Sequence, residues 1–265
     1  LRCRFCLNPD TRAMRSGKEY IFTPEQLVNK LLRFKPYFGD NGGVTFSGGE
    51  PLLQKDFLCE VLLLCKHAGI HTCIDTAGCG CGGYEEILAH TDLVLLDIKH
   101  FSLDGYHSIT GQSPQEFLQF LSAVQNAGTP LWIRHVVVPG LTDSDAHLEG
   151  LRAYLHTIRN IQRVELLPYH TLGVHKYEAM GKEYKLSDVR ENTPEQLDRA
   201  AALPETITLA DREEIEDLAM IYNTLSAEQK EFVQGGYDGT DYQKLLAAAQ
   251  DKLAALDAGE TDPEP

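Results

Sequence analysis

The chain has 265 residues, 43% of them hydrophobic and 24% charged, which is enough for one large domain with a real core plus an appendage. That composition excludes a disordered chain and a disulfide-stapled miniprotein. The formal charge of −15 argues against a nucleic-acid surface, and no stretch approaches the roughly 20 consecutive apolar residues of a membrane helix. In chain order, short β-branched runs alternate with stretches of helical period. Strands are expected over residues 43–46, 71–76, 93–98, 131–138 and 164–168. Helices are expected over 57–67, 84–89, 116–126 and 147–158. Strand–helix alternation at roughly 25 to 30 residues per unit predicts a parallel sheet with crossover helices. Runs such as Leu93-Val94-Leu95-Leu96 suit strands covered on both faces.

The charge is unevenly spread. Residues 1–190 carry 21 acidic and 19 basic groups, whereas residues 191–265 carry 18 acidic and 5 basic ones. Three segments are therefore expected: a core domain over 1–200, an acidic helical module over 201–258 and a disordered tail over 259–265. Within the module, Thr208 and Ser226 are plausible helix caps. No catalytic role is expected there.

Polar and glycine residues gather just after the carboxyl ends of the strands: Ser47-Gly48-Gly49-Glu50, Asp75-Thr76, Asp97-Ile98-Lys99, Pro139-Gly140 and Tyr169-His170. In parallel α/β folds this rim is where ligands bind, so one pocket fed by five strand ends is the economical expectation. A lone Gly-Gly-Glu is usually a turn, and a lone aspartate there is usually a cap. The joint order of these segments is what favours a site.

The seven cysteines include the tight pair Cys3-Arg4-Phe5-Cys6, which suits a reducing, cytoplasmic setting and metal chemistry. Alone, this spacing serves zinc ribbons, redox pairs and iron–sulfur sites alike. A ribbon needs a second pair, and Cys79 and Cys81 are too close in sequence. Cys59, Cys65 and Cys73 read as small buried hydrophobes, Cys79 and Cys81 as loop thiols, and His67, His90, His107, His147 and His156 as surface or helix residues.

The segment Leu1-Arg2-Cys3-Arg4-Phe5-Cys6-Leu7-Asn8-Pro9 resembles the cluster loop of radical S-adenosylmethionine enzymes, whose pattern is Cys-x3-Cys-x-aromatic-Cys. The last two cysteines are present, and the first is expected two residues upstream of Leu1, outside the sequence. Further segments are similar to the glycyl-radical-enzyme activases, specifically the pyruvate formate-lyase-activating type. They are Thr45 to Pro51, Gly69 to Thr76, Leu93 to Lys99, Trp132 to Gly140, Glu165 to His170, Gly173-Val174-His175-Lys176-Tyr177 and Met180-Gly181 with Tyr184. The absence of further cysteines between Cys6 and Gly48 argues against the inserted two-cluster module of other activases.

The resemblance implies a partial six-stranded (β/α) barrel whose first strand precedes this sequence. It also implies a [4Fe-4S] cluster on Cys3, Cys6 and the upstream cysteine, with S-adenosylmethionine on its open iron. One electron would cleave that ligand to a 5′-deoxyadenosyl radical, which takes hydrogen from a backbone glycine of pyruvate formate-lyase. A flavodoxin or ferredoxin would supply the electron. Ligand contacts are implied for Phe5, Cys6, Leu7, Gly48, Gly49, Glu50, Asp97, Ile98, Lys99, Arg134 and His170, with Lys99 and Arg134 as the catalytic pair. A monovalent cation is implied at Asp75, Thr76, Leu95 and Asp97, consistent with hard oxygen donors. Leu7 and Ala77 stand where the family commonly has His and Asn. The alternatives are an activase of another glycyl-radical enzyme and, with only two cysteines, a non-catalytic binding protein.

Overall fold

The computed structural model describes residues 1–12, 20–39, 42–194, 196, 200 and 250. Leu1–Ala200 forms one compact unit. The acidic module over 201–258 and the tail over 259–265 lie outside the described residues, apart from Gln250.

Helix α1, Pro24–Leu32, starts at a reciprocal capping box: Thr23 accepts from the Gln26 amide, and the Gln26 side chain accepts from the Thr23 amide. Proline at its first position needs no amide partner. There follow β1 (Gly43–Phe46), α2 (Lys55–His67), β2 (His71–Thr76), α3 (Tyr84–Leu88) and β3 (Leu93–Asp97). Then come α4 (Leu103–Thr110), α5 (Gln115–Ala127), β4 (Leu131–Val137), α6 (Asp145–Leu155), β5 (Ile161–Pro168) and α7 (Val174–Ala179). The five strands expected from sequence form one sheet, all parallel, in the order β1-β2-β3-β4-β5. Helices α1, α4 and α7 are additions to that expectation.

The sheet has two unlike faces. Ile74, Val94, Leu96, Leu131 and Ile133 are fully buried against Leu62 of α2, Ile87 of α3, Phe120 and Val124 of α5 and Leu151 of α6. Burial of each such side chain contributes on the order of 2 kcal/mol, so this helical layer carries most of the hydrophobic stabilisation. The other face holds Asp75, Leu95, Asp97, Trp132 and Arg134, all half-buried. The expectation that 93–96 is covered on both faces is therefore corrected. Val94 and Leu96 are buried, while Leu93 and Leu95 are half-buried because their face carries the charged groups.

A second, smaller core of Phe5, Ile109, Val138, Tyr169, Tyr177, Tyr184 and Leu186 sits at the carboxyl ends of β4 and β5. It anchors the amino-terminal loop over the rim of the sheet. Among the described residues no helix is long and apolar enough to cross a membrane.

Candidate active site

The amino-terminal loop is tied to the end of α4 by its own backbone. The Arg2 and Arg4 amides donate to the carbonyls of Thr110 and Ile109, each at 3.0 Å. The Cys6 amide then turns back to the Cys3 carbonyl at 3.2 Å, which places the two cysteines at the start and end of a single turn. Neither is in a disulfide. Cys3 and Phe5 are buried and Cys6 is half-buried.

Directly against this loop stands Lys99, which follows β3. Its ammonium lies 5.8 Å from the Phe5 ring centroid and donates to Asp97 Oδ2 at 2.8 Å. Burial works against the charged form of Lys99, yet Asp97 and Cys3 beside it outweigh that and hold its pKa above the ordinary lysine value. Asp97 and Arg134 are register partners on β3 and β4, and Arg134 Nε donates to Asp97 Oδ1 at 3.1 Å. The same guanidinium donates through Nη2 to Asp75 on β2.

Burial raises the Asp97 pKa, but Lys99 and Arg134 more than reverse this and leave it below the usual carboxylate range. For Asp75 burial dominates over the Arg134 attraction, the Asp97 charge adds to it, and the pKa is raised. The result is an alternating network, Lys99–Asp97–Arg134–Asp75, running from the cysteine loop across three strand ends. It supplies two cations whose counter-charges a bound anion can share.

Glu50 caps the short 3-10 helix Pro51–Gln54 by accepting from the Leu52 amide at 3.3 Å. It also accepts from the Thr76 hydroxyl and from the Ala77 amide at 3.0 Å. Burial still outweighs these bonds and raises its pKa. Its oxygens thus brace the end of β1 to the end of β2. Gly49 permits a close approach: a Cβ there would stand 3.0 Å from the Thr11 carbonyl, so the turn after β1 packs against the chain leaving the cysteine loop. Gly48 has φ +137° and open space where a side chain would be.

Ile98 is fully buried. Its amide donates to the Arg134 carbonyl at 2.9 Å and its own carbonyl accepts from His135 Nδ1 at 2.7 Å. Leu7 packs against Gly173. His170, just past β5, has a buried Nδ1 with no hydrogen-bond partner.

Structure therefore joins Cys3, Phe5, Lys99, Asp97, Arg134 and Asp75 into one connected set, and Glu50 with Thr76 into a neighbouring one. The implied cation donors Asp75 and Asp97 already face Arg134, while Thr76 gives its hydroxyl proton to Glu50. That set does not fit a cation in this arrangement, because its charge is matched within the chain. Among the described residues no three His, Cys, Asp or Glu side chains converge as a metal site.

Cys79 lies in a loop and His147 in a helix, as expected, and the structure adds that both are buried. Cys79 is a buried thiol whose Sγ lies 3.2 Å from the Tyr106 hydroxyl, since the turn after β2 folds under the α4 aromatic. His147 is buried because α6 sets it against His135 on β4, Nε2 to Nε2 at 3.1 Å. Sequence reasoning assigned no role to Lys176 or Tyr177, although the Gly173 to Tyr177 segment stood out.

Residues 1–149 match the model of the Radical SAM superfamily. The pyruvate formate-lyase-activating enzyme of Clostridium pasteurianum is 60% identical over 190 residues, covering 71% of this chain and 79% of that protein. The enzyme of that name from Streptococcus mutans is 43% identical over 215 residues, covering 78% and 82%. Among solved structures, a domain of pyruvate-formate lyase-activating enzyme from Bacteroides vulgatus aligns with TM-score 0.50 at 23% identity, over 62% of this chain and 92% of that one. Streptococcus suis SuiB bound to S-adenosylmethionine aligns with TM-score 0.57 at 20% identity, over 81% of this chain and 45% of that one. Both likenesses concern the fold, a parallel sheet wound with helices. The chain belongs to the radical SAM superfamily and, within it, to the family of pyruvate formate-lyase-activating enzymes.

Proposed function

We propose that this chain is an activase that binds S-adenosylmethionine beside an iron–sulfur cluster and generates a glycyl radical on pyruvate formate-lyase. The observation that carries the reading is the position of the Cys3–Cys6 turn directly against the Lys99–Asp97–Arg134–Asp75 network. The family supplies the name of the reaction.

The residues fit the two implied groups. Cys3 and Cys6 offer two thiolates from one turn, which suits soft iron–sulfur ligation. The partnerless buried His170 Nδ1 offers a polar contact that the protein alone leaves unmade, and such atoms are uncommon in folded chains. When bound, the cluster and S-adenosylmethionine supply one-electron cleavage of a carbon–sulfur bond and hydrogen abstraction from an unactivated C–H bond.

The chain's own residues hold and shield. Lys99 and Arg134 provide positive charge for a carboxylate or for an incoming peptide backbone. Asp97 keeps both side chains charged and aimed along the rim. Phe5, buried between the cysteines, presents an apolar surface that excludes water from the turn. Gly48 leaves the rim open where a side chain would intrude. Such positioning is what a reactive intermediate demands, since it attacks whatever is nearest. The protein substrate is a glycyl-radical enzyme, and a flavodoxin or ferredoxin serves as electron donor. The described cysteines form no disulfide, which supports a reducing, cytoplasmic setting.

The test is iron content and electron paramagnetic resonance of protein expressed from its gene, reconstituted anaerobically and reduced, with and without S-adenosylmethionine. About four irons per chain and a signal that changes on adding the ligand are expected. A folded protein that takes up no iron would overturn the assignment of Cys3 and Cys6.

A further inference from the structure

The first half of the cysteine loop is held by its bonds to α4, but these end at Arg4. From Cys6 onward the loop meets α7 and the residue before it instead, at Cys6, Leu7, Asn8 and Asp10. The Tyr177 hydroxyl donates to the Cys6 carbonyl at 2.8 Å. Gly173, just before the helix, lies so close to Leu7 that a Cβ would stand 2.4 Å from its carbonyl oxygen and 2.8 Å from its Cα. The Lys176 ammonium donates to Asn8 Oδ1 at 2.7 Å and lies 3.4 Å from the Asp10 carboxylate.

The far side of this contact is packed against other rings. Tyr177 is buried and its ring packs on Tyr184 at 5.0 Å between centroids, 60° apart. The Tyr184 hydroxyl in turn pairs with that of Tyr169 at 3.0 Å. Phe5 belongs to the same small core, so one cluster of rings supports both the cysteine turn and the residue that grips it. The gripped carbonyl is one bond from the Cα that carries the Cys6 thiol. A hydrogen bond there fixes the peptide plane and, through it, the direction of the side chain, as partners behind a metal ligand do.

We infer that Tyr177, together with Lys176 and Gly173, is a positioning residue that sets the conformation of the Cys6–Asp10 segment before any metal binds. The purpose of this clamp rests on reading Cys6 as a cluster ligand; its contacts do not.

Hydrogen exchange measured by mass spectrometry on the metal-free full chain tests it, with Tyr177→Phe, Tyr184→Phe and Lys176→Met compared with the unaltered protein. Tyr177→Phe keeps the packed ring and deletes only the donor. Exchange over residues 6–10 is expected to quicken by about fivefold to tenfold, the effect of one hydrogen bond, while β3 and β4 stay at their original rates. Tyr184→Phe removes the Tyr169 partner but keeps the packed ring and the Tyr177–Cys6 hydrogen bond, and should leave residues 6–10 unchanged. Lys176→Met, at a surface position, keeps the test available if the tyrosine variant does not fold, and should quicken residues 8–10.

The same proteins, reconstituted anaerobically, are then challenged with a chelator, and Tyr177→Phe should release iron several times faster. Unchanged exchange over residues 6–10 in Tyr177→Phe, or equal acceleration in Tyr184→Phe, overturns the clamp. If the exchange pattern appears but no protein takes up iron, the clamp stands and the ligand role of Cys6 falls. If iron binds and the loop is indifferent to Tyr177, the reverse holds.

Discussion

Arg134 and Asp97 sit opposite each other on neighbouring parallel strands, and the guanidinium reaches back from that position to grip the carboxylate at 3.1 Å. A second carboxylate, Asp75, binds the same guanidinium from the next strand. Remove the cation and two half-buried acids are left facing one another. Arg134→Gln should therefore destabilise the fold by about 2 kcal/mol near neutral pH, short of the full cost of breaking a buried pair because the groups are partly solvated. Asp97 has a folded pKa below its unfolded value, so its stabilisation is present above the unfolded pKa and is lost as pH falls through the folded one. The deficit of the variant should thus shrink as both acids protonate. Urea unfolding at pH 7.5 and pH 3 checks this, the lower value lying below the unfolded aspartate pKa of about 3.9, and a deficit that grows on acidification would contradict it.

Lys99 stands against the cysteine turn, its ammonium 5.8 Å from the Phe5 ring centroid. Lys99→Ala should weaken S-adenosylmethionine binding about tenfold, the effect of losing one charge-assisted contact. Equilibrium dialysis against the reconstituted protein reads this directly, with iron content as the control. Undiminished affinity at full iron occupancy removes Lys99 from ligand binding.

Glu50 accepts three hydrogen bonds at one strand end. Glutamine has one oxygen where glutamate has two, so Glu50→Gln sets an amide NH2 against the Ala77 amide or the Thr76 hydroxyl. A loss of about 1 to 3 kcal/mol is expected, seen as a lower midpoint in urea. If stability is unchanged and only ligand affinity drops, Glu50 acts on the ligand rather than as a brace.

His135 and His147 give the fold an acid sensitivity. Burial, with the neighbouring histidines, lowers their pKa values to about 4 and about 3, against about 6.5 in the unfolded chain. Below 6.5 the unfolded state takes up protons that the folded state does not, so stability falls as pH drops. Each histidine costs about 1.4 kcal/mol per pH unit until its folded pKa is reached. The geometry agrees: with the His135 Nδ1 proton committed to the Ile98 carbonyl, His135 Nε2 must accept from His147, which requires His135 to be neutral. Replacing His147 by leucine should flatten the slope of unfolding free energy between pH 7 and 5. An equal slope would place the sensitivity elsewhere.

The parts of this structure that were legible beforehand are those with a local period. Strand β2 over His71–Thr76 and strand β1 over Gly43–Phe46 follow from β-branched runs closed by polar residues. The rim positions follow from where those runs stop. Helix α1 had a readable start in Thr23-Pro24-Glu25-Gln26, but its short apolar stripe competes with nothing longer. What sequence could not show is which distant backbone a side chain meets. Glu50 looks the same whether it faces a ligand or Thr76, and His147 lies on a helix whose buried side depends on β4. Tyr177 and Cys6 stand 171 positions apart, and a single hydroxyl bonded to a single carbonyl leaves no periodic trace.

The strictly sequential order of the five strands bears on how the molecule is made. During synthesis each new strand finds its neighbour already in place, so the sheet can grow one edge at a time as the chain leaves the ribosome. The cysteine loop emerges before any of these five strands, yet its last restraint, α7, emerges only after β5 is complete. A loop made ahead of the whole sheet is thus fixed only after the sheet is finished, so the geometry of the Cys3–Cys6 turn belongs to the last stage of folding.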